Sequence, residues 1–439
     1  MTKIFFLRIL ILYGAISFAQ DSIVWNSKKD KIKIPFELTN NLIIVDVIFN
    51  NISLKMIADT GADTSLLFSF PSEDSIAVQE KDRVMIKGVG SGEAVEAFLS
   101  SSNQLKINEY QDNNFEILII PNQDISIINK LGIPINGILG FSFFKDFLVE
   151  INYENKKIIL HKNKSKRVEK RFSKYKSAKI KLEKSKPYID LLVGIEQSDF
   201  NLKLLFDTGL SDGLWLFEND KIICDRTFFN DFLGRGLSGD IKGKRSRVNK
   251  VVFSDIEINE ALVSYPDSLN FSQISIVEGR NGSLGGEIIK RFNWFLDYEN
   301  EIFYYKKNKL LESSFEYNMS GIEVQHSGLE LIKQEYLNSK YINVDTETGY
   351  EVIKKSPSHF RFELKPVYEI YAVRENSPAF KVGLKVGDKI IKLNNKNANQ
   401  LTLQSITELF QLQEGKRIKI RIERDGKLMD IEFNLEKIL

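Results

Sequence analysis

Leu54-Lys55-Met56-Ile57-Ala58-Asp59-Thr60-Gly61 and Leu202-Lys203-Leu204-Leu205-Phe206-Asp207-Thr208-Gly209 are two versions of one phrase. Each carries an apolar run into Asp-Thr-Gly. The likeness continues downstream. Gly137-Ile138-Leu139-Gly140 is followed by Phe143-Phe144-Lys145, Phe147 and Ile151-Asn152-Tyr153-Glu154-Asn155. Gly282-Ser283-Leu284-Gly285 is followed by Ile288-Ile289-Lys290, Phe292 and Leu296-Asp297-Tyr298-Glu299-Asn300, without a gap. A repeat this long is not one turn of a solenoid. It is a duplicated domain about the size of a small β-barrel lobe.

The segments upstream obey one grammar. Ile32-Lys33-Ile34 and Ile43-Ile44-Val45-Asp46-Val47-Ile48 are short, β-branched and bounded by Asn pairs, which predicts strands joined by turns. Ile180-Lys181-Leu182 and Tyr188-Ile189-Asp190-Leu191-Leu192-Val193 take the corresponding places in the second copy. The expected class is mainly β.

A chain of 439 residues exceeds one core and implies two to four domains. The 61 basic and 59 acidic residues nearly cancel, so nothing calls for nucleic acid or an anionic membrane. Residues 162–177 and beyond are rich in Lys and Arg, but only Phe172 and Tyr175 punctuate the run, too few for a base-stacking platform. A solvated basic linker is the expectation. The single cysteine, Cys224, excludes a disulfide framework and a cysteine-cluster metal site. His161, His326 and His359 have no metal-ligand spacing and supply no serine triad. No metal or cofactor is expected.

Two facing carboxylates have a defined chemistry. At about 3 Å apart they cannot both ionise cheaply, so the pair holds one proton over a wide pH range. The ionised member takes a proton from water, and the protonated member donates to a scissile carbonyl. Asp59 and Asp207 are the candidates for that work. Gly61 and Gly209 allow a tight loop with free N–H groups. Thr60 and Thr208 can interlock with the opposite loop. Asp63 and Asp212 read as structural loop carboxylates.

Asp59-Thr60-Gly61-Ala62-Asp63-Thr64-Ser65 resembles the active-site loop of retropepsin-like (retroviral-type) aspartic proteases, and Ile138-Leu139-Gly140 resembles that family's second signature. The resemblance spans residues 30 to 307. It implies two pseudo-twofold-related β-barrel lobes in one chain, in the pepsin-like manner, and a polypeptide substrate. It also implies flaps, glycine-tipped hairpins that close over substrate. Gly88, Val89, Gly90 and Gly92 fit that role in the first lobe. Gly234, Gly236 and Gly239 fit it in the second. Two departures stand out: Leu210 after the second Asp-Thr-Gly, and Ser283 where an apolar residue is expected. They predict a dyad less adapted to acid.

The last block contains Ser377-Pro378-Ala379, then Gly383-Leu384-Lys385-Val386-Gly387-Asp388-Lys389-Ile390-Ile391. A helix follows over 403–412, then two strands joined at Asp425-Gly426. This block resembles a PDZ domain, an α/β fold that adds an extended C-terminal peptide to a sheet edge. Ser320, Gly321 and Ile322 are the candidate peptide-binding loop, separated from Val367 by an insertion over 329–360. Removing 315–439 is expected to spare the cleavage of short peptides.

Lys3 and Arg8, the apolar run from Ile9 to Phe18, and small residues up to Ala19 read as a signal peptide cleaved before Gln20. The mature chain is then periplasmic or extracellular, with no stable membrane span. The expected layout is 1–19 signal peptide, 20–161 first lobe, 162–177 linker, 178–310 second lobe and 315–439 PDZ-like domain. Aspartic endopeptidase is the leading reading. The rival is a non-catalytic protein that holds extended peptides in the cleft and the PDZ groove.

Overall fold

The computed structural model describes residues 23–69, 77–90, 92–121, 135–162, 164–271, 274–337, 341–344, 352–355 and 359–439. The expected signal peptide lies outside these residues. Strands dominate, and the described helices are short. No described helix is long and apolar enough to cross a membrane.

The Asn pairs act as the sequence suggests. Asn40, Asn41, Asn50 and Asn51 all take positive φ, the geometry of tight hairpin turns. Asn40-Asn41 turn Glu37–Thr39 onto Leu42–Phe49, and Asn50-Asn51 place Leu42–Phe49 antiparallel to Ile52–Ala58. Ile52–Ala58 then runs parallel to Gly137–Leu139, which pairs with Leu66–Leu67. Tyr110–Ile119 and Val95–Ile107 complete the ring back to Leu42–Phe49. The first lobe is thus a closed six-stranded barrel. The second lobe repeats it. Lys186–Ile195, Ser198–Phe206, Arg280–Leu284, Leu214–Leu216, Ile256–Pro266 and Gly239–Phe253 close in the same order and sense. Closure leaves few free sheet edges.

A six-stranded antiparallel sheet ties the lobes together. Its order is Lys31–Pro35, Lys157–His161, Leu148–Asn152, Phe292–Asp297, Ile302–Lys307, Lys176–Glu183. At its centre Glu150 faces Phe295. These residues hold equivalent places in the two copies, so the pseudo-twofold axis passes between them.

The basic stretch is more than a solvated linker. Residues Lys166–Phe172 form a helix with Val168 buried. Arg171 forks onto Glu150 at 2.7 and 2.5 Å, and His161 Nε2 lies 3.1 Å from the same carboxylate. Burial would push the Glu150 carboxyl up, but His161 and Arg171 hold it below the usual range. Phe172 stacks on Tyr304 at 4.2 Å. The helix therefore caps one face of the inter-lobe sheet. A solvated reading missed this because the charges are visible in sequence and their buried partner is not.

The C-terminal sheet has the order Ile322–Leu337, His359–Val373, Lys389–Leu393, Arg417–Arg424, Lys427–Asn434. Helix Leu403–Phe410 starts from a capping box at Thr402 and Ser405 and buries Leu403, Ile406 and Phe410. The expected insertion continues the two strands before it and after it. They stay paired out to Leu337 opposite His359.

Candidate active site

Both Asp-Thr-Gly loops leave their barrels at the inter-lobe face. Asp59 N donates to Leu139 O, and Asp207 N donates to Leu284 O, each at 2.9 Å. The downstream glycine segments thus hold the loops from behind, and Ser65 Oγ accepts from Gly140 N at 3.0 Å. Two threonines lock the lobes together. Thr60 N donates to Thr208 Oγ1 at 3.0 Å, and Thr208 N donates to Thr60 Oγ1 at 3.1 Å. Their hydroxyls donate across to Phe206 O and Ala58 O, each at 2.7 Å. Both threonines are 1% exposed.

This lock brings the carboxylates face to face. A Cβ added to Gly61 would sit 2.6 Å from Asp207 Cγ. One added to Gly209 would sit 2.2 Å from Asp59 Cγ. Each glycine makes room for the other lobe's acid. Gly61 N donates to Asp59 Oδ1 at 2.7 Å, and Gly209 N donates to Asp207 Oδ1 at 3.0 Å. Burial and the charge of Asp207 push the Asp59 carboxyl well above the usual range, against the Gly61 N–H and Lys186. Burial also raises Asp207, opposed first by Arg280. The pair is suited to sharing one proton.

The residues expected to form flaps converge from both lobes. Hairpins Gln79–Ile86/Val95–Ile107 and Phe229–Gly236/Gly239–Phe253 carry them. The tips meet: Gly88 N donates to Ser238 Oγ at 3.1 Å, Gly92 N to Ser238 O at 2.5 Å, and Ser238 N to Val89 O at 3.2 Å. A Cβ on Gly236 would stand 2.0 Å from Val89 O. Gly90, Gly234 and Gly239 have positive φ.

Asp212 is held as a structural carboxylate. It accepts from Trp215 Nε1 at 2.8 Å, Ser264 Oγ at 2.8 Å and Arg245 Nη1 at 3.1 Å. Asp63 lies 3.8 Å from Lys186 Nζ. Cys224 is buried. Among the described residues no cluster could hold a metal.

In the C-terminal domain, Ser320, Gly321 and Ile322 sit together at the start of an edge strand, and all three are buried. Their N–H groups already have acceptors. Ser320 N and Gly321 N donate to Asn318 Oδ1 at 3.0 and 3.2 Å, and Ile322 N to Ser320 Oγ at 3.2 Å. Asn318 escaped the sequence reading. So did Lys186 and Arg280. Arg280 had a legible signal, because the first copy has Ile135 in its place.

The fold is a duplicated retropepsin-like aspartyl-protease pair of lobes followed by a PDZ domain. Residues 45–143 match the family model for aspartyl protease, and residues 344–435 match that for the PDZ domain. A stretch of 105 residues is 29% identical to the regulator of sigma E protease of Haemophilus influenzae. It covers 24% of this chain and 22% of that protein, so the chain spans under a quarter of that relative.

Proposed function

We propose that this chain is an exported aspartic-type endopeptidase in which Asp59 and Asp207 activate a water for attack on a peptide bond. The observation that carries the reading is the reciprocal fit of each Asp-Thr-Gly glycine against the other lobe's carboxylate. A peptide-holding cleft has no need of two desolvated acids at such range. The ionised member of the pair takes a proton from water, and the protonated member donates to the carbonyl oxygen. The intermediate is tetrahedral and non-covalent. The flap tips hydrogen-bond to one another, so substrate enters when they part and closes them over itself. The PDZ domain recruits the C-terminus of a substrate or partner, whose carboxylate replaces Asn318 Oδ1 at the Ser320–Ile322 loop. Export follows from Lys3, Arg8 and the apolar run up to Ala19.

The test is cleavage of an unfolded protein from pH 3 to 8, beside Asp59→Asn. Activity that vanishes in the variant and is blocked by a statine peptide supports the reading. Tight peptide binding without cleavage at any pH would instead favour the non-catalytic reading. An N-terminus at Gln20 in protein recovered outside the cytoplasm would support export, and an intact Met1 there would count against the cleavage.

A further inference from the structure

The duplication exposes a place where the lobes were built differently beside the same dyad. Asn136 and Asn281 do one job: their Oδ1 atoms accept from Lys55 N at 2.9 Å and Lys203 N at 3.0 Å. That fixes the register between the copies. In the first lobe Ile44, Ile135 and Ile138 pack as one apolar cluster, with Leu237 of the opposite flap against it. The equivalent positions in the second lobe are Tyr188, Arg280 and Ser283.

These three make a polar cluster. Arg280 Nε donates to Gly282 O at 3.0 Å, and Arg280 Nη2 donates to Ser283 Oγ at 2.7 Å. Tyr188 is the third polar partner, and the Phe217 ring lies 5.3 Å from the guanidinium carbon. Burial works against the charge, yet an arginine stays protonated in proteins. Among the described residues Arg280 makes no ion pair; the acid whose field it feels is Asp207. Nearby Glu183 is engaged by Lys203 Nζ at 2.5 Å. A half-buried guanidinium whose hydrogen-bond partners are all neutral is incompletely compensated. A carboxylate arriving with substrate would complete it, and Arg is the side chain best shaped to take one.

We propose that Tyr188, Arg280 and Ser283 form a subsite that reads an acidic side chain of the substrate, next to the scissile bond on the second-lobe side. The isoleucine cluster of the first lobe reads an apolar side chain on the other. This rests on the peptidase reading and adds a substrate class to it: polypeptides with Glu or Asp against one lobe and an apolar residue against the other.

Matched peptides carrying Glu, Gln or Leu on either side of one cleavage site test it with the full chain. The wild-type enzyme should favour Glu over Gln at one of the two positions by about 10- to 100-fold in kcat/KM, the range of a charge-assisted bond. Arg280→Leu should collapse that ratio toward one, and Arg280→Lys should restore part of it. A ratio near one in the wild type, or a ratio unchanged in Arg280→Leu, overturns the proposal. A uniform fall on all peptides, ratio intact, would assign Arg280 a structural role and also overturn it. If nothing is cut, the peptidase reading has failed separately. Statine versions of the same peptides then decide the subsite by calorimetry. Tighter binding of the Glu form, lost in Arg280→Leu, supports it; equal affinity overturns it.

Discussion

Asp59 and Asp207 are acids stripped of water by the fold, and their protonation follows from that. Both carboxyls are raised, by burial first. A raised acid binds its proton more tightly folded than unfolded, so it favours the fold below the ordinary carboxylate range. That contribution is lost as pH rises through the raised value. Asp59→Asn should therefore gain thermal stability relative to wild type as pH climbs toward neutral, measured as the difference in Tm across pH 4 to 8. A constant difference would argue against the desolvated pair. The same substitution, or Asp207→Asn, should lower kcat by at least about 10³-fold with the circular dichroism unchanged. Residual activity near wild type in either would remove that residue from the dyad.

Elements matter here through the lock and the flaps. Thr60→Val would deprive buried Phe206 O of its donor and Thr208 N of its acceptor. The expected loss is about 2–4 kcal/mol in urea unfolding, since unmet buried polar groups keep their desolvation penalty. A loss within about 0.5 kcal/mol, the range of an ordinary surface substitution, would mean the lobes are held by the inter-lobe sheet alone. At the flaps, Gly90 has φ +132° and an added Cβ would meet the Ser238 backbone at 2.6 Å. Gly90→Ala should hold the tips apart and raise KM more than it lowers kcat. Equal kinetics to wild type would show that the tips need not meet.

Across the whole molecule, the PDZ domain rests on the second lobe's Phe229–Gly236/Gly239–Phe253 hairpin. Arg374 sits beside the Ser320–Ile322 loop, donating to Asn318 O at 3.2 Å. Its Nη1 lies 3.6 Å from Asp231 Oδ1, and its guanidinium covers Phe229 at 4.1 Å. Asp231 accepts from Arg245 Nε at 2.9 Å, and Arg245 reaches Asp212. Tyr371 donates to Asp240 and packs its ring on Phe232. Deleting 315–439 would uncover that hairpin. Short-peptide cleavage should fall along with protein cleavage, contrary to the expectation from sequence. Equal short-peptide rates in the full chain and the truncated chain would restore the view of a recruiting tail. Faster amide exchange over 229–253 in the truncated chain would locate the effect in the flap.

The duplicated Asp-Thr-Gly loops, the strand grammar, the glycine segments behind the loops and the PDZ block are legible along the chain. These rest on local patterns of turn, alternation and spacing, which a chain carries in order. Ser283 was visible there as an oddity without a meaning. Folding supplied what depends on closing distant segments together. It brought Tyr188 and Arg280 to Ser283, gave Arg171 its buried partner Glu150, and seated Asn318 on the Ser320–Ile322 loop. It also set Arg374 against Asp231 and Phe229 of the second lobe. A charge is legible in a sequence, but the group it faces is chosen by the fold, because desolvation and pairing act through space and not along the chain.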